Sequence, residues 1–252
     1  MELSELNERY CKQRADYPEP FRLRVHRALS WLQRADVLLA DSALELNTVS
    51  NRNAMKDKKR LPQNARQALE KESTDWDFGF VSLWIAFNAI YARDLSVQVI
   101  QDSTGFRQFL NIICQLDKDK QIYNLVWRVF SSDIRALVNN RYVFQPFWNF
   151  HNGLISEHEF NQSFQSARER TNRALMDQDT DKLLEIVFSC LYTLRNQIVH
   201  GGATWNSSAN RQQVQAACTF LGKILPVFLE IMMANPHRSD WGKPFYPFVK
   251  EE

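Results

Sequence analysis

The sequence predicts an all-α fold, a bundle of amphipathic helices around a single core. Apolar residues recur at spacings of three and four over long stretches, the period of one helical face. Only 7 Gly and 8 Pro occur in 252 residues, too few to supply the turns of a sandwich or barrel. No segment shows a sustained strand-type alternation, and no internal repeat is present. With 44% hydrophobic and 24% charged residues, the composition is that of a globular chain, long enough to bury a sizeable core.

The elements follow in order. Residues 1–19 read as an N-terminal extension. Phe21, Val25, Ala28, Leu32, Ala35 and Leu39 then define a first strong helix, with Pro20 at its start, where a missing N–H costs nothing. Residues 47–74 read as an exposed basic insertion containing Asn51, Arg52, Asn53, Lys56, Lys58, Lys59 and Arg60, with a short helix around 63–71. STDWDFGFVSLWIAFNAIYARD is the most apolar helix, with Ser73 or Thr74 as its cap and Asp75 and Asp77 suited to the positive end of its dipole. Trp76, Phe80, Leu83, Phe87 and Ile90 form one stripe, and Val81, Trp84 and Tyr91 a second, so this helix is expected to be central.

Two shorter helices are expected near 104–116 and 119–138. RYVFQPFWNFHNG, at 141–153, is broken by Pro146 and Gly153 and reads as an ordered aromatic loop on the core. A polar helix with Arg168, Arg170 and Arg173 covers 156–176. In DKLLEIVFSCLYTLRNQIVH the buried stripe is Leu183, Val187, Cys190, Leu194 and Ile198, and Gly201 and Gly202 supply the C-terminal cap. A last helix runs from about Asn210 to Met233, with a kink expected at Pro226. The Pro-rich, aromatic tail, 235–252, is expected to lie along the surface. One domain spanning 1–252 accommodates all of this.

A net charge of +2 means that any nucleic-acid affinity comes from a local patch. Cys11, Cys114, Cys190 and Cys218 are isolated, which points to neither a zinc site nor a disulfide framework, and Cys190 and Cys218 read as core residues. No metal or other cofactor is expected. The N-terminus, charged from its second residue, does not read as a signal peptide, and no uninterrupted apolar run approaches membrane-spanning length, so a cytoplasmic, membrane-free location is expected.

The chemistry-bearing segment is LRNQIVHGG, with Arg195, Asn196 and His200. Histidine moves protons near neutral pH, and arginine, permanently charged, grips two phosphate oxygens at once. Together they suit RNA cleavage without a metal: the ribose 2′-OH attacks, leaving a 2′,3′-cyclic phosphate and a 5′-OH. Asn196 and His200, four residues apart, share a helical face, so the amide can orient the imidazole. Arg195 and His200, five apart, diverge by roughly 140° around an ideal helix. Either the helix unwinds before Gly201 or a second surface completes the site; a two-fold axis through a homodimer would bring two motifs together. Taken alone, such a pair is common as a solvated arginine and a C-terminal histidine favoured by the helix dipole.

Context adds to it. Arg-Asn-x-x-x-His on the penultimate long helix, followed by Gly-Gly, resembles the motif of HEPN-domain ribonucleases: Arg, a polar residue, then His. FVSLWIAFNAIYA is similar to the central apolar helix of larger members, related to the Apea-like groups, and it lies between RALSWLQRA and the motif helix as in that family. VHGGATWNSSANRQQV and WGKPFYPFV are similar to the motif's surroundings there. The resemblance covers roughly residues 20–250, at the level of pattern outside the motif helix. It implies a HEPN-type bundle, dimerisation through the motif helices, Arg195, Asn196 and His200 in the catalytic positions, and often a toxin or antiviral defence role. Asn88 stands where many relatives carry an acid, so no acidic group carries over from that helix.

Tyr192, one turn before Arg195, can stack on a base or lie buried in the bundle. Trp205, Asn206 and Arg211 are candidates to border the cleft, and Lys58, Lys59 and Arg60 to track an RNA backbone. His158-Glu159 lacks the second histidine of a zinc-protease helix, since position 162 is Gln. Two alternatives stand beside the nuclease: a non-catalytic RNA-binding or dimerisation module, and one member of a toxin–antitoxin pair whose antitoxin or regulatory protein masks the cleft.

Overall fold

Leu3, Leu6 and Tyr10, spaced by three and four, close a first helix, α1 (Leu3–Gln13), that buries Leu6 and Tyr10. The N-terminal extension is therefore part of the packed structure, and the Tyr10 hydroxyl donates to the Arg22 carbonyl at 3.1 Å. The computed structural model describes residues 2–46, 74–93, 102–208 and 210–247. The expected helix around 63–71, with Lys58, Lys59 and Arg60, lies outside them.

Helix α2 (Glu19–Leu46) buries Phe21, Val25, Ala28, Leu32 and Ala35, the face its spacing defines. Its main partner is α3 (Trp76–Tyr91), which buries Phe80, Leu83, Trp84, Phe87 and Ile90. Asp75 caps α3, accepting from the Phe78 N–H at 3.0 Å. The cap is thus neither Ser73 nor Thr74, because Asp75 directly precedes the first helical residue and its short carboxylate reaches the N–H three positions on. The two helices approach closely at Gly79, where a Cβ would come within 2.6 Å of Leu39 Cδ2.

Helix α4 (Asp102–Leu116) leads to a short α5 (Gln121–Asn124), which widens into a π-helical turn, Leu125–Val129, before α6 (Ser131–Val138). The single helix expected at 119–138 is interrupted there: the Phe130 N–H bonds Leu125 O, five residues back, as Phe130 buries its ring against Phe220. The aromatic stretch at 141–153 is a 3₁₀ turn, Arg141–Val143, and a helix, α7 (Gln145–His151), rather than a loop. Pro146 starts this helix instead of breaking it, since the first turn uses no N–H bonds. Helix α8 (Glu157–Met176) opens on a Ser156–Glu159 capping box, whose hydrogen bonds from Ser156 hold the Glu159 carboxyl below its ordinary range.

Helices α9 (Thr180–Val199) and α10 (Arg211–Met233) complete the bundle. Phe87 of α3 meets Phe188 of α9 at 4.4 Å between ring centroids, and Phe109 of α4 meets Phe228 of α10 at 5.5 Å. One hydrophobic cluster runs from Leu6 to Trp241, and no strand occurs among the described residues. The architecture is all-α. Helix α10, which continues through Pro226, is long and apolar enough to cross a membrane by length and composition, yet 72% of that apolar stretch is buried inside the bundle.

The tail does more than lie on the surface. A 3₁₀ turn, Ser239–Trp241, buries Trp241, whose indole N–H donates to Asn235 O at 2.7 Å. Beneath it sits Arg24, a charged residue 1% exposed. One of its terminal nitrogens donates to the carbonyls of Ala89, Ile90 and Ala92 at 3.2, 2.8 and 2.8 Å, satisfying the end of α3. The other donates to Trp241 O at 3.0 Å and Gly242 O at 3.5 Å. Burial, helped by the nearby Arg93 charge, lowers the Arg24 pKa to about 10, so the group remains cationic at neutral pH.

Candidate functional site

Asp179 starts the motif helix, accepting from the Lys182 N–H at 3.2 Å, and Leu183, Leu184, Val187, Phe188, Leu191 and Leu194 anchor it in the core. The motif occupies its final turn. The helix does not unwind there: the His200 N–H bonds Asn196 O at 3.0 Å, an ordinary four-residue step. The end is a paired cap, with Gly202 N–H on Gln197 O at 2.7 Å and Gly201 N–H on Ile198 O at 3.2 Å. Gly201 adopts φ +71°, the left-handed conformation this cap requires. Of the two alternatives for aligning Arg195 with His200, local unwinding is thereby removed.

His200 is exposed, and its imidazole has no hydrogen bond or ring contact among the described residues. Arg195 is half-buried. Its guanidinium donates to Asn196 Oδ1 at 2.9 Å and stands over the Tyr192 ring, 5.9 Å from the centroid. The expectation that Asn196 orients His200 is corrected, because the long arginine folds back and takes the amide oxygen of its neighbour. Tyr192 is held from behind by Trp84, 6.1 Å between ring centroids. The result is a braced cation and, about one turn and a half further on, a free imidazole at the helix end.

Neighbouring residues fix that end in place. Gln197 donates to Tyr142 O at 2.6 Å and accepts from Asn210 Nδ2 at 2.7 Å, joining the motif helix to the 3₁₀ turn and to the start of α10. Trp148 donates to the same Tyr142 carbonyl at 2.8 Å. Arg211 forks onto Asp77 at 3.2 and 3.0 Å, and Asp77 also accepts from the Asn206 N–H at 2.8 Å. Arg211 is thus paired with a carboxylate, which offsets the positive charge it was expected to lend. Trp205, 64% exposed, stands beside Asn206 in the same loop.

Gln197 and Asp77 were missed as supports of the site. Asp77 was legible only as a dipole-matching acid, and Gln197 has no local signal, since both act through partners distant in sequence.

Of the other histidines, His26 stacks on Tyr10, and His151 packs on Phe147 and Phe150. Among the described residues no group of three or more His, Cys, Asp and Glu side chains could hold a metal ion. No protein-family model matches the chain, and no curated protein or solved structure matches it.

Proposed function

We propose that the chain is a metal-independent endoribonuclease of the HEPN type, with His200 as the acid/base, Arg195 as the phosphate-binding group and Asn196 as the residue that positions Arg195. The observation that carries the proposal is the end of α9, where a solvent-facing imidazole follows a braced guanidinium on a rigidly capped helix. In the reaction a base takes the proton from the ribose 2′-OH, the oxygen attacks the adjacent phosphorus, and the 5′-oxygen leaves with a proton from the acid. Arg195 stabilises the charge that builds on the phosphate oxygens. Because α9 stays helical through the motif, the angular separation of Arg195 and His200 persists, and a homodimer that faces two α9 ends together completes the cleft. RNA is the proposed substrate, and a cytoplasmic toxin or antiviral defence role, under an antitoxin or other regulatory protein, is the proposed setting.

The test is cleavage of a single-stranded RNA in EDTA by wild-type protein and His200→Ala, with product ends identified. Cyclic-phosphate ends and a loss of about 10²–10⁴-fold in the variant are expected, with helicity and oligomeric state unchanged. Equal cutting by both proteins would remove His200 from the mechanism. One observation favours a second reading, RNA binding without cleavage: no described side chain of the same chain orients the His200 imidazole. In that case RNA binding survives His200→Ala, and neither protein cuts.

A further inference from the structure

Helices α8 and α9 form an antiparallel hairpin that does not close. Phe160 and Phe164 of α8 pack with Phe144 and Phe150 at one end, and Ala174 is buried at the other. Between these ends the lining of both helices includes small residues, Ala167 and Thr171 on α8 and Ser189 and Thr193 on α9. Small side chains leave space between the two helices, and that space is a cleft of about 700 Å³. That is the size of a site for one small organic ligand.

Its lining separates into two chemistries. Phe106, Val138, Val143, Phe144, Pro146 and Phe164 supply apolar and aromatic wall, with Ile186 and one side of Tyr192. Around it stand Arg107, Arg168, Arg170 and Arg173, none of whose guanidinium groups has a hydrogen bond or ion pair to any described residue. The carboxylates are differently placed. Glu185 already holds Lys182 at 3.1 Å, Asp179 caps α9, and Asp177, whose carboxylate is unpaired among the described residues, directly follows α8. All three belong to the hairpin-turn half, whereas Arg168 and Arg170 lie further along α8 from that turn. Four unpaired guanidiniums against the one unpaired carboxylate of Asp177 leave the uncommitted charge of the cleft positive on balance.

We propose that this cleft binds a small organic anion with a flat apolar body, a phosphorylated or carboxylated aromatic of about nucleotide size. The ring lies between Phe144, Phe164 and Tyr192, and Arg168 and Arg170 hold the anionic group. Tyr192 also carries the Arg195 guanidinium on its face, so an occupant would touch the residue that braces the motif. The proposal is independent of ribonuclease activity, since neither Arg195 nor His200 lines the cleft.

The full-length protein is titrated with 1-anilinonaphthalene-8-sulfonate and, in parallel, with its uncharged analogue N-phenyl-1-naphthylamine. One saturable sulfonate site per chain is expected. Arg168→Gln/Arg170→Gln, two exposed positions, should weaken the sulfonate by about tenfold or more while leaving the neutral analogue unchanged. Ala167→Phe, which fills the gap, should abolish binding of both, and His200→Ala should change neither. Should Ala167→Phe fail to fold, the glutamine pair alone decides. Absence of a saturable site, or equal binding of the two probes unaffected by the glutamine pair, would overturn the proposal. So would displacement of the sulfonate by a short oligouridylate under conditions where uridine monophosphate leaves it bound, which would assign the cleft to an RNA strand.

Discussion

Replacing Arg24 by Met tests whether one buried cation holds the C-terminal tail to the central helix. Methionine preserves most of the aliphatic stem and removes every donor. Five bonds are lost, four of them at 2.8, 2.8, 3.0 and 3.2 Å and a longer one to Gly242 O at 3.5 Å that contributes little, and the Ile90 and Trp241 carbonyls are left in buried surroundings. Hydrogen bonds from a charged donor contribute about 1.5–3 kcal/mol each, or on the order of 6–12 kcal/mol gross. Keeping a guanidinium out of water costs several kcal/mol, which the substitution recovers. The acceptors are neutral carbonyls rather than a carboxylate, so the net loss falls near 3 kcal/mol, a large share of the roughly 5–15 kcal/mol that folds a domain. Urea unfolding followed by tryptophan fluorescence and by far-ultraviolet circular dichroism reads this as a lower midpoint at unchanged slope. Arg24→Lys should lose more than half as much, because one ammonium cannot reach both the α3 end and the tail. A loss below about 1 kcal/mol in Arg24→Met would refute the claim that these bonds outweigh the desolvation of the charge.

Gly201→Ala meets no atom within 4 Å, so its cost is the left-handed backbone alone, about 1–2 kcal/mol, seen as a Tm lower by about 3–6 °C. Gly153→Ala, at φ +72° and equally open, should cost the same, but only the change at Gly201 should also depress RNA cleavage. A double-mutant cycle of Asp77→Ala and Arg211→Ala should show coupling of about 1–2 kcal/mol for this partly buried fork, and a value near zero would mean that the loop after the motif is not tied to α3. Burial raises the Cys114 and Cys190 thiols from 9.0 to about 12, and that of Cys218 in the same direction, so at pH 8 only exposed Cys11 should react quickly with Ellman's reagent. Unfolded thiols ionise first as the pH rises above about 9, the unfolded state then binds fewer protons, and stability should fall from there toward pH 12. A urea midpoint as high at pH 10 as at pH 8 would contradict this.

Most of the helical framework was legible because burial leaves a period in the sequence. The spacing from Phe21 to Leu39 marks α2, and that from Trp76 to Ile90 marks α3. Arg24 was not legible as a buried group, since a charge reads as solvent-facing, although its position three after Phe21 and four before Ala28 sets it on the buried stripe. Leu3, Leu6 and Tyr10 likewise carry the signal for α1 in a segment whose charge hid it. At the site, the motif residues and their glycine cap could be read from one helix. Tyr142, Gln197 and Asn210 could not, because their bonds join elements that only folding brings together. The cleft escaped for another reason: a run of small residues on a polar helix has no signature until its neighbours show what it fails to fill.

Helix α8 is twenty residues long and buries two of them, Thr171 and Ala174. Local opening free energy follows buried contact, so this helix sits near the low end of the protein's stability range while α9 and α10 sit near the top. Its backbone amides can exchange with solvent through an excursion that leaves the rest of the bundle folded. The wall facing Ser189 and Tyr192 is thus the part of the molecule with the least to lose by moving, and the motif helix behind it is among the parts with the most.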